Sequence, residues 1–170
     1  MKKFSNQIIF FLIGILVLLV TACGTTEIKK SHPLLASSTD RNIARVYFIR
    51  PDPGFVGVMG NAFTIYLSDK ELLTIAKGEY TMVNLKPFSG AVTVESSTVV
   101  NVSGMNTQIK VNESLPFKFE EGQTYYITFE EYQRGMMQGV SYIPRSITED
   151  SARNLARKLK PIGNAIANQL

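Results

Sequence analysis

From Ile43 onward, apolar and polar positions fall into short runs separated by turn residues, the spacing of a sandwich or barrel. Ile43–Ile49 is nearly all apolar or aromatic, as a strand covered on both faces requires, and Arg50-Pro51-Asp52-Pro53-Gly54 stops it. Phe63–Ser68 alternates, with Phe63, Ile65 and Leu67 on one face, and Asp69-Lys70 turns the chain into Glu71–Ile75. Further strands are expected at Glu79–Leu85, Ala91–Glu95, Thr107–Val111, Leu115–Glu120, Thr124–Glu131 and Val140–Ile143. Parallel strands ordinarily need crossover helices, and no helical stretch interrupts these runs. The pattern therefore predicts a mainly β domain over residues 43–146, an antiparallel β-sandwich or open barrel.

The period changes at the C-terminal end, residues 147–170. Ala152, Leu155, Ala156 and Leu159 recur at helical spacing, Thr148 stands at an N-cap position, and Glu149 and Asp150 precede the bases of the last turn. A helix is expected over 148–160, packed on the domain, with Arg153, Arg157, Lys158 and Lys160 on its solvated face; a membrane or partner helix is the alternative. Pro161 ends it, and a second short helix over 162–170 would turn Ile162, Ala165 and Ile166 inward.

The N-terminal pattern differs from both. Lys2 and Lys3 precede thirteen uncharged residues, Ile8–Val20, the layout of a signal peptide over residues 1–22 and too short a run to span a bilayer comfortably. Val20-Thr21-Ala22-Cys23 resembles the bacterial lipobox: an aliphatic residue, two small ones and a cysteine. The resemblance implies cleavage between Ala22 and Cys23, a diacylglycerol thioether on Cys23 and an acylated new amine. Two or more acyl chains hold a protein on a membrane without spanning it. With Gly24 rather than Asp after the cysteine, the resemblance implies the periplasmic face of the outer membrane if the source is Gram-negative. Residues 23–42 follow as the lipidated cysteine and a polar segment containing Pro33 and the only histidine, His32. They read as a flexible tether with a reach of roughly 25 Å. Leu34-Leu35-Ala36 could dock on the domain or the membrane, but a solvated linker is expected.

The order Ala44-Arg-Val-Tyr-Phe-Ile-Arg-Pro51, Ser68-Asp-Lys70, Lys77-Gly-Glu-Tyr80, Pro87-Phe-Ser-Gly90 and Glu121-Gly-Gln-Thr-Tyr-Tyr-Ile127 resembles the bacterial family described as domain of unknown function 2846. The resemblance spans roughly Ile43–Ile143 and implies a small β-rich domain, lipidated or secreted, with no assigned activity. It carries over no catalytic residue.

Composition narrows the chemistry. With one Cys and one His in 170 residues, neither an intrachain disulfide nor a Cys/His zinc cluster can form. Neither a Ser-His nor a Cys-His pair is expected, because Cys23 is assigned to lipid and His32 to the tether. The carboxylates of the domain sit at turns or on the polar phase of strands. We therefore expect no enzyme, no cofactor and no metal. The formal charge of +4 falls to +2 once Lys2 and Lys3 leave with the signal, and the remaining bases form no nucleic-acid footprint. Phe55, Val56, Val58 and Met59, spaced by Gly54, Gly57 and Gly60, and Met136 and Met137 beside Gly135 are candidate contacts for an envelope protein partner. The glycine spacing is not that of a phosphate-binding loop. The expected role is a lipid-anchored binding or scaffold module of the cell envelope, or alternatively a structural accessory lipoprotein of a larger envelope or secretion assembly.

Overall fold

The computed structural model describes residues 26–52, 62–102, 104–134 and 139–170. The strands are β1 (Glu27–Ile28), β2 (Ala44–Arg50), β3 (Ala62–Leu67), β4 (Lys70–Ala76), β5 (Glu79–Leu85), β6 (Phe88–Val102), β7 (Met105–Phe119), β8 (Thr124–Gln133), β9 (Val140–Ser146) and β10 (Lys160–Gly163), with helix α1 (Glu149–Ala156) between β9 and β10. Two five-stranded sheets pack as an open sandwich, in the orders β1-β4-β3-β6-β7 and β10-β5-β2-β8-β9.

Alternation builds the core. Val46 and Phe48 of β2, Phe63, Ile65 and Leu67 of β3, and Val92 and Val94 of β6 turn into the space between the sheets and are buried there. The opposite face of β2, with Tyr47 and Ile49, meets a second cluster containing Tyr80, Met82, Ala152, Ala156 and Ala165. β2 is thus covered on both sides, as its unbroken apolar run predicts. Helix α1 is capped by Thr148, whose Oγ1 accepts from the Ser151 amide at 3.3 Å, and it docks through the small side chains of Ala152 and Ala156.

Four expectations are corrected. First, the sandwich is not wholly antiparallel: β2 pairs with β8, and β5 with β10, in parallel. The crossover between β2 and β8 needs no helix because strands of the facing sheet lie within it. Second, Ala91–Glu95, Thr107–Val111 and Leu115–Glu120 are parts of one long hairpin, β6–β7, paired in register from Phe88↔Phe119 to Val102↔Met105. Gly104, at φ +84°, takes the turn, and Asn101 Oδ1 accepts from its amide at 3.1 Å.

Third, the segment after Pro161 is not a second helix. Lys160–Gly163 covers the open edge of β5, with Lys160 N donating to Gly78 O at 2.9 Å and Thr81 Oγ1 to Ile162 O at 3.0 Å. Proline has no amide to donate but is tolerated on such an edge strand. Ala165 is inward, whereas Ile166 is exposed.

Fourth, most of the expected tether is docked. Glu27 and Ile28 pair with Thr74 and Leu73 of β4, and Leu35 bridges to Leu85 of β5. Lys29 N donates to Leu72 O, Ala36 N to Asn84 O and Lys86 N to Leu34 O, at 2.8–2.9 Å. Ile28, Leu34 and Leu35 pack on the core, and His32 is buried. This strap binds the first sheet to the second, because an open sandwich side leaves strand edges and apolar side chains to cover. Three isolated apolar residues in a polar stretch have no period, so the sequence reads as linker.

The β3–β4 connection is a two-residue turn with Ser68 at φ +50° and Asp69 at φ +62°. Both are left-handed, the geometry that Asn-Gly satisfies best. Ser68→Asn with Asp69→Gly is expected to raise unfolding free energy by about 0.5–1 kcal/mol in urea titrations; an unchanged midpoint would mean that the turn carries no strain.

Candidate functional site

Strand register brings five features to one end of the sandwich. β4 and β2 run toward this end and β5 leaves it, joined to β4 by Lys77-Gly78. Here the strap begins. Thr26 donates from its amide (3.2 Å) and its hydroxyl (2.5 Å) to Glu79 Oε2, while its Oγ1 accepts from Ala76 N at 3.1 Å. The other Glu79 oxygen faces Lys160 Nζ at 3.8 Å. Glu79 is buried, so these contacts meet the need of a desolvated carboxylate for donors. Lys77 pairs with Asp52 at 2.8 Å across the same turn.

Arg50 plugs the core at this end. It is 2% exposed, with its guanidinium 4.3 Å from the Phe63 ring centre and 5.0 Å from that of Tyr142. Nη1 donates to Ile75 O at 2.8 Å and Nη2 to Tyr142 Oη at 3.4 Å. Burial lowers its pKa, against the opposing pull of Tyr142, Glu131 and Asp52. Burial also raises the Tyr142 phenol, which the Arg50 charge draws back. The arrangement ties β2 to β4 and β9 rather than offering a free cation to solvent. Its signal was available in the strand phase: Ala44, Val46, Phe48 and Arg50 share one face.

Two hairpins project beyond this end. β3 pairs with β6 only over Val92–Glu95, so β6 from Ser96 to Val102 has β7 as its sole neighbour in the sheet. Polar contacts bind one face of this ribbon: Gln108 Nε2 to Ser97 Oγ at 2.7 Å, Asn101 Nδ2 to Asn106 Oδ1 at 3.0 Å and Lys110 to Glu95 at 3.2 Å. β8 likewise continues to Gln133, four residues past Phe129, the position level with Arg50. Arg134 pairs with Glu113, and Ser96 Oγ hydrogen-bonds Val140 O, so the second hairpin leans on the base of the first.

Exposed apolar side chains collect on these projections. Of the four large exposed hydrophobic residues among those described, Val99, Met105 (71% exposed) and Tyr132 (60%) lie on the two hairpins, and only Ile166 lies elsewhere. Arg157, Lys158 and Lys160, all exposed, lie in the turn from α1 into the start of β10 at the same end. Sequence reading missed Val99, Met105 and Tyr132, because the β6–β7 hairpin was not recognised as continuous and Tyr132 lay beyond the expected end of β8.

The residues singled out from the sequence lie outside the described residues: Ala22, Cys23, Phe55, Val56, Val58, Met59, Met136 and Met137. Their described flanks are informative. Asp52, Ala62, Arg134 and Gly139 all belong to the end just defined, and a Cβ on Gly139 would meet Ile109 and Val111 of the ribbon at 3.2–3.3 Å.

Elsewhere the described residues line open clefts, and no catalytic constellation occurs among the residues lining them. At the far end, Pro87, Phe88, Phe119 and Glu121 line a wide hollow of about 590 Å³, and between strap and β5, Ile28, Leu35, Val83, Asn84 and Asn164 line one of about 490 Å³. His32 accepts at Nδ1 from Leu34 N at 3.2 Å, which supports the strap's turn, and its Nε2 has no hydrogen-bond partner among the described residues. No group of three or more metal-ligating side chains occurs among the described residues. No family model, curated protein or solved structure matches the chain.

Proposed function

We propose that this protein is a lipid-anchored, non-enzymatic binding or scaffold module of the cell envelope, held on the membrane by acyl chains on Cys23. The observation that carries the reading is Val20-Thr21-Ala22-Cys23, directly behind the thirteen-residue apolar run, with the only cysteine of the chain in the one position where a thiol is needed. The resemblance to domain of unknown function 2846 supports the same assignment. In a cell with two membranes, Gly24 directs the protein to the periplasmic face of the outer one. The strap adds support: it fastens the chain from Thr26 onward to both sheets, so a pull on the anchor is borne by the fold.

Detergent-phase partition of whole cells, with mass analysis of the N-terminal peptide, tests the reading. The wild-type protein is expected in the detergent phase with its first peptide beginning at an acylated Cys23. Cys23→Ser is expected to move it to the aqueous phase or leave it uncleaved. An unmodified Cys23 in the wild-type protein refutes the proposal. Crosslinking in intact cells then separates a module from an assembly subunit, since only the second predicts one stoichiometric complex.

A further inference from the structure

Register fixes how much chain separates the proposed anchor from the fold. Glu27, Thr74, Thr64 and Glu95 are level with one another across β1, β4, β3 and β6. Measured from that line, Cys23 is four residues away and, even fully extended, reaches at most roughly 14 Å. Val102, at the tip of the β6–β7 ribbon, is seven paired residues from the same line in the same direction, about 23 Å at the rise of a strand. The leash is shorter than the projection.

A thioether on Cys23 sits at the glycerol level of the bilayer. With the strands upright on the bilayer, a strap held within roughly 14 Å of that level places the end of the ribbon, about 23 Å long, in the interface; a domain lying on its β1 edge would instead hold the ribbon, three strands away, about 14 Å clear. The residues displayed there suit that position. Met105 and Val99 are apolar and exposed, and Tyr132 has the amphipathic ring favoured at headgroup depth. Arg157, Lys158 and Lys160 are exposed at the same end but on the β10 edge, three strands from β8, and neither Arg157 nor Lys158 joins an ion pair among the described residues. Bases so placed attract anionic headgroups. Asp52, Glu79 and Glu113 at this end are each set against a base, Lys77, Lys160 and Arg134 respectively, while Glu131, beside Tyr132, is an exposed carboxylate on the same hairpin.

We propose that the domain is seated end-on against the bilayer that holds its anchor, with Met105 of the β6–β7 hairpin and Tyr132 of β8 in the headgroup layer. This rests on lipidation of Cys23. The lipidated thiol is no longer free, so a cysteine introduced elsewhere is the sole labelling site. Full-length lipidated protein carrying Met105→Cys, Tyr132→Cys or, at the far end, Glu121→Cys is labelled with an environment-sensitive fluorophore and reconstituted into vesicles of phosphatidylethanolamine and phosphatidylglycerol. Labels at 105 and 132 are expected to emit at shorter wavelength, to be quenched by spin-labelled lipid and to resist aqueous iodide several-fold better than the label at 121. All three positions are exposed, so the substitutions leave the core intact. Equal iodide quenching at 105, 132 and 121 on demonstrably acylated protein overturns the seating alone. An unacylated Cys23 overturns it together with the anchor. Shielding that appears in native envelopes but not in pure lipid vesicles also overturns it, because a protein then covers the tips.

Discussion

Arg50→Ala is expected to lower the unfolding free energy by about 4 kcal/mol, the largest effect of any single substitution considered. Two losses add. Removing a long buried side chain leaves a cavity between Phe63 and Tyr142, and large-to-small changes in packed cores cost about 2–5 kcal/mol. The Ile75 carbonyl also loses its 2.8 Å donor, and an orphaned buried acceptor costs about 1–3 kcal/mol. Arg50→Met separates the two, since it fills the space over the rings but offers no donor; its expected cost is only the second, about 1–3 kcal/mol. For a domain of this size, the alanine variant should melt roughly 8–16 °C lower. Urea unfolding followed by circular dichroism and tyrosine emission gives the measurement, because the chain has seven Tyr and no Trp. A loss under about 1 kcal/mol for Arg50→Ala would show that the guanidinium is not holding the sheets together.

Arg50 also marks the boundary of what is legible in the sequence. Period-two alternation found nearly every strand, because burying one face of a sheet imposes that period whatever the topology. It carries no information about which strand lies beside which. The parallel pairing of β2 with β8 was invisible for that reason, since Ile43–Ile49 and Thr124–Glu131 look the same in either direction. A charged residue on the apolar phase, as at Arg50, reads as the end of a strand; the aromatic rings and carbonyls that satisfy it come from Phe63, Ile75 and Tyr142, distant in sequence.

Thr98–Asn106 failed for a different cause. A two-stranded ribbon outside the sandwich is not under the burial constraint that creates the pattern, and its stability comes from cross-strand pairs such as Ser97–Gln108 and Asn101–Asn106. The candidate site followed the same division. The proposed lipidation motif is local, four residues long, and its reading needs no tertiary information. That the chain is docked from Thr26 onward, with Gly24 and Thr25 between it and Cys23, is a tertiary fact, and on the proposed anchor it replaces a standoff of roughly 25 Å with a short leash.

The strap therefore bears on stability and, on the proposed anchor, on placement, and Leu35→Asp is expected to release it. Leu35 is half-buried at the bridge to Leu85, so a carboxylate there must stay hydrated and exchange packing for solvent, at a cost of about 2–3 kcal/mol. Hydrogen exchange reads the release locally: the amides of Lys29, Ala36 and Lys86, which bond to Leu72, Asn84 and Leu34, should lose protection before the amides of β2 and β5. His32 makes the same docking pH-dependent. Burial lowers its pKa, the nearby charge of Lys70 acts in the same direction, and the carbonyls of Leu67 and Lys70 offset part of the effect. The docked strap thus binds fewer protons than the released one once pH falls below the ordinary value of 6.5. Docking is complete above that pH and weakens as pH falls through it toward the lowered folded-state value. His32→Asn keeps an acceptor for the Leu34 amide but cannot titrate, so its protection of Lys29 and Ala36 should change less between pH 7.5 and 5.5 than in the wild type. Equal pH responses in the two proteins would assign the effect to carboxylates instead. In Leu35→Asp the free leash grows to about thirteen residues, with a reach near 20 Å, comparable to the ribbon's projection. The label at position 105 should then lose much of its protection from iodide while the protein stays on the membrane.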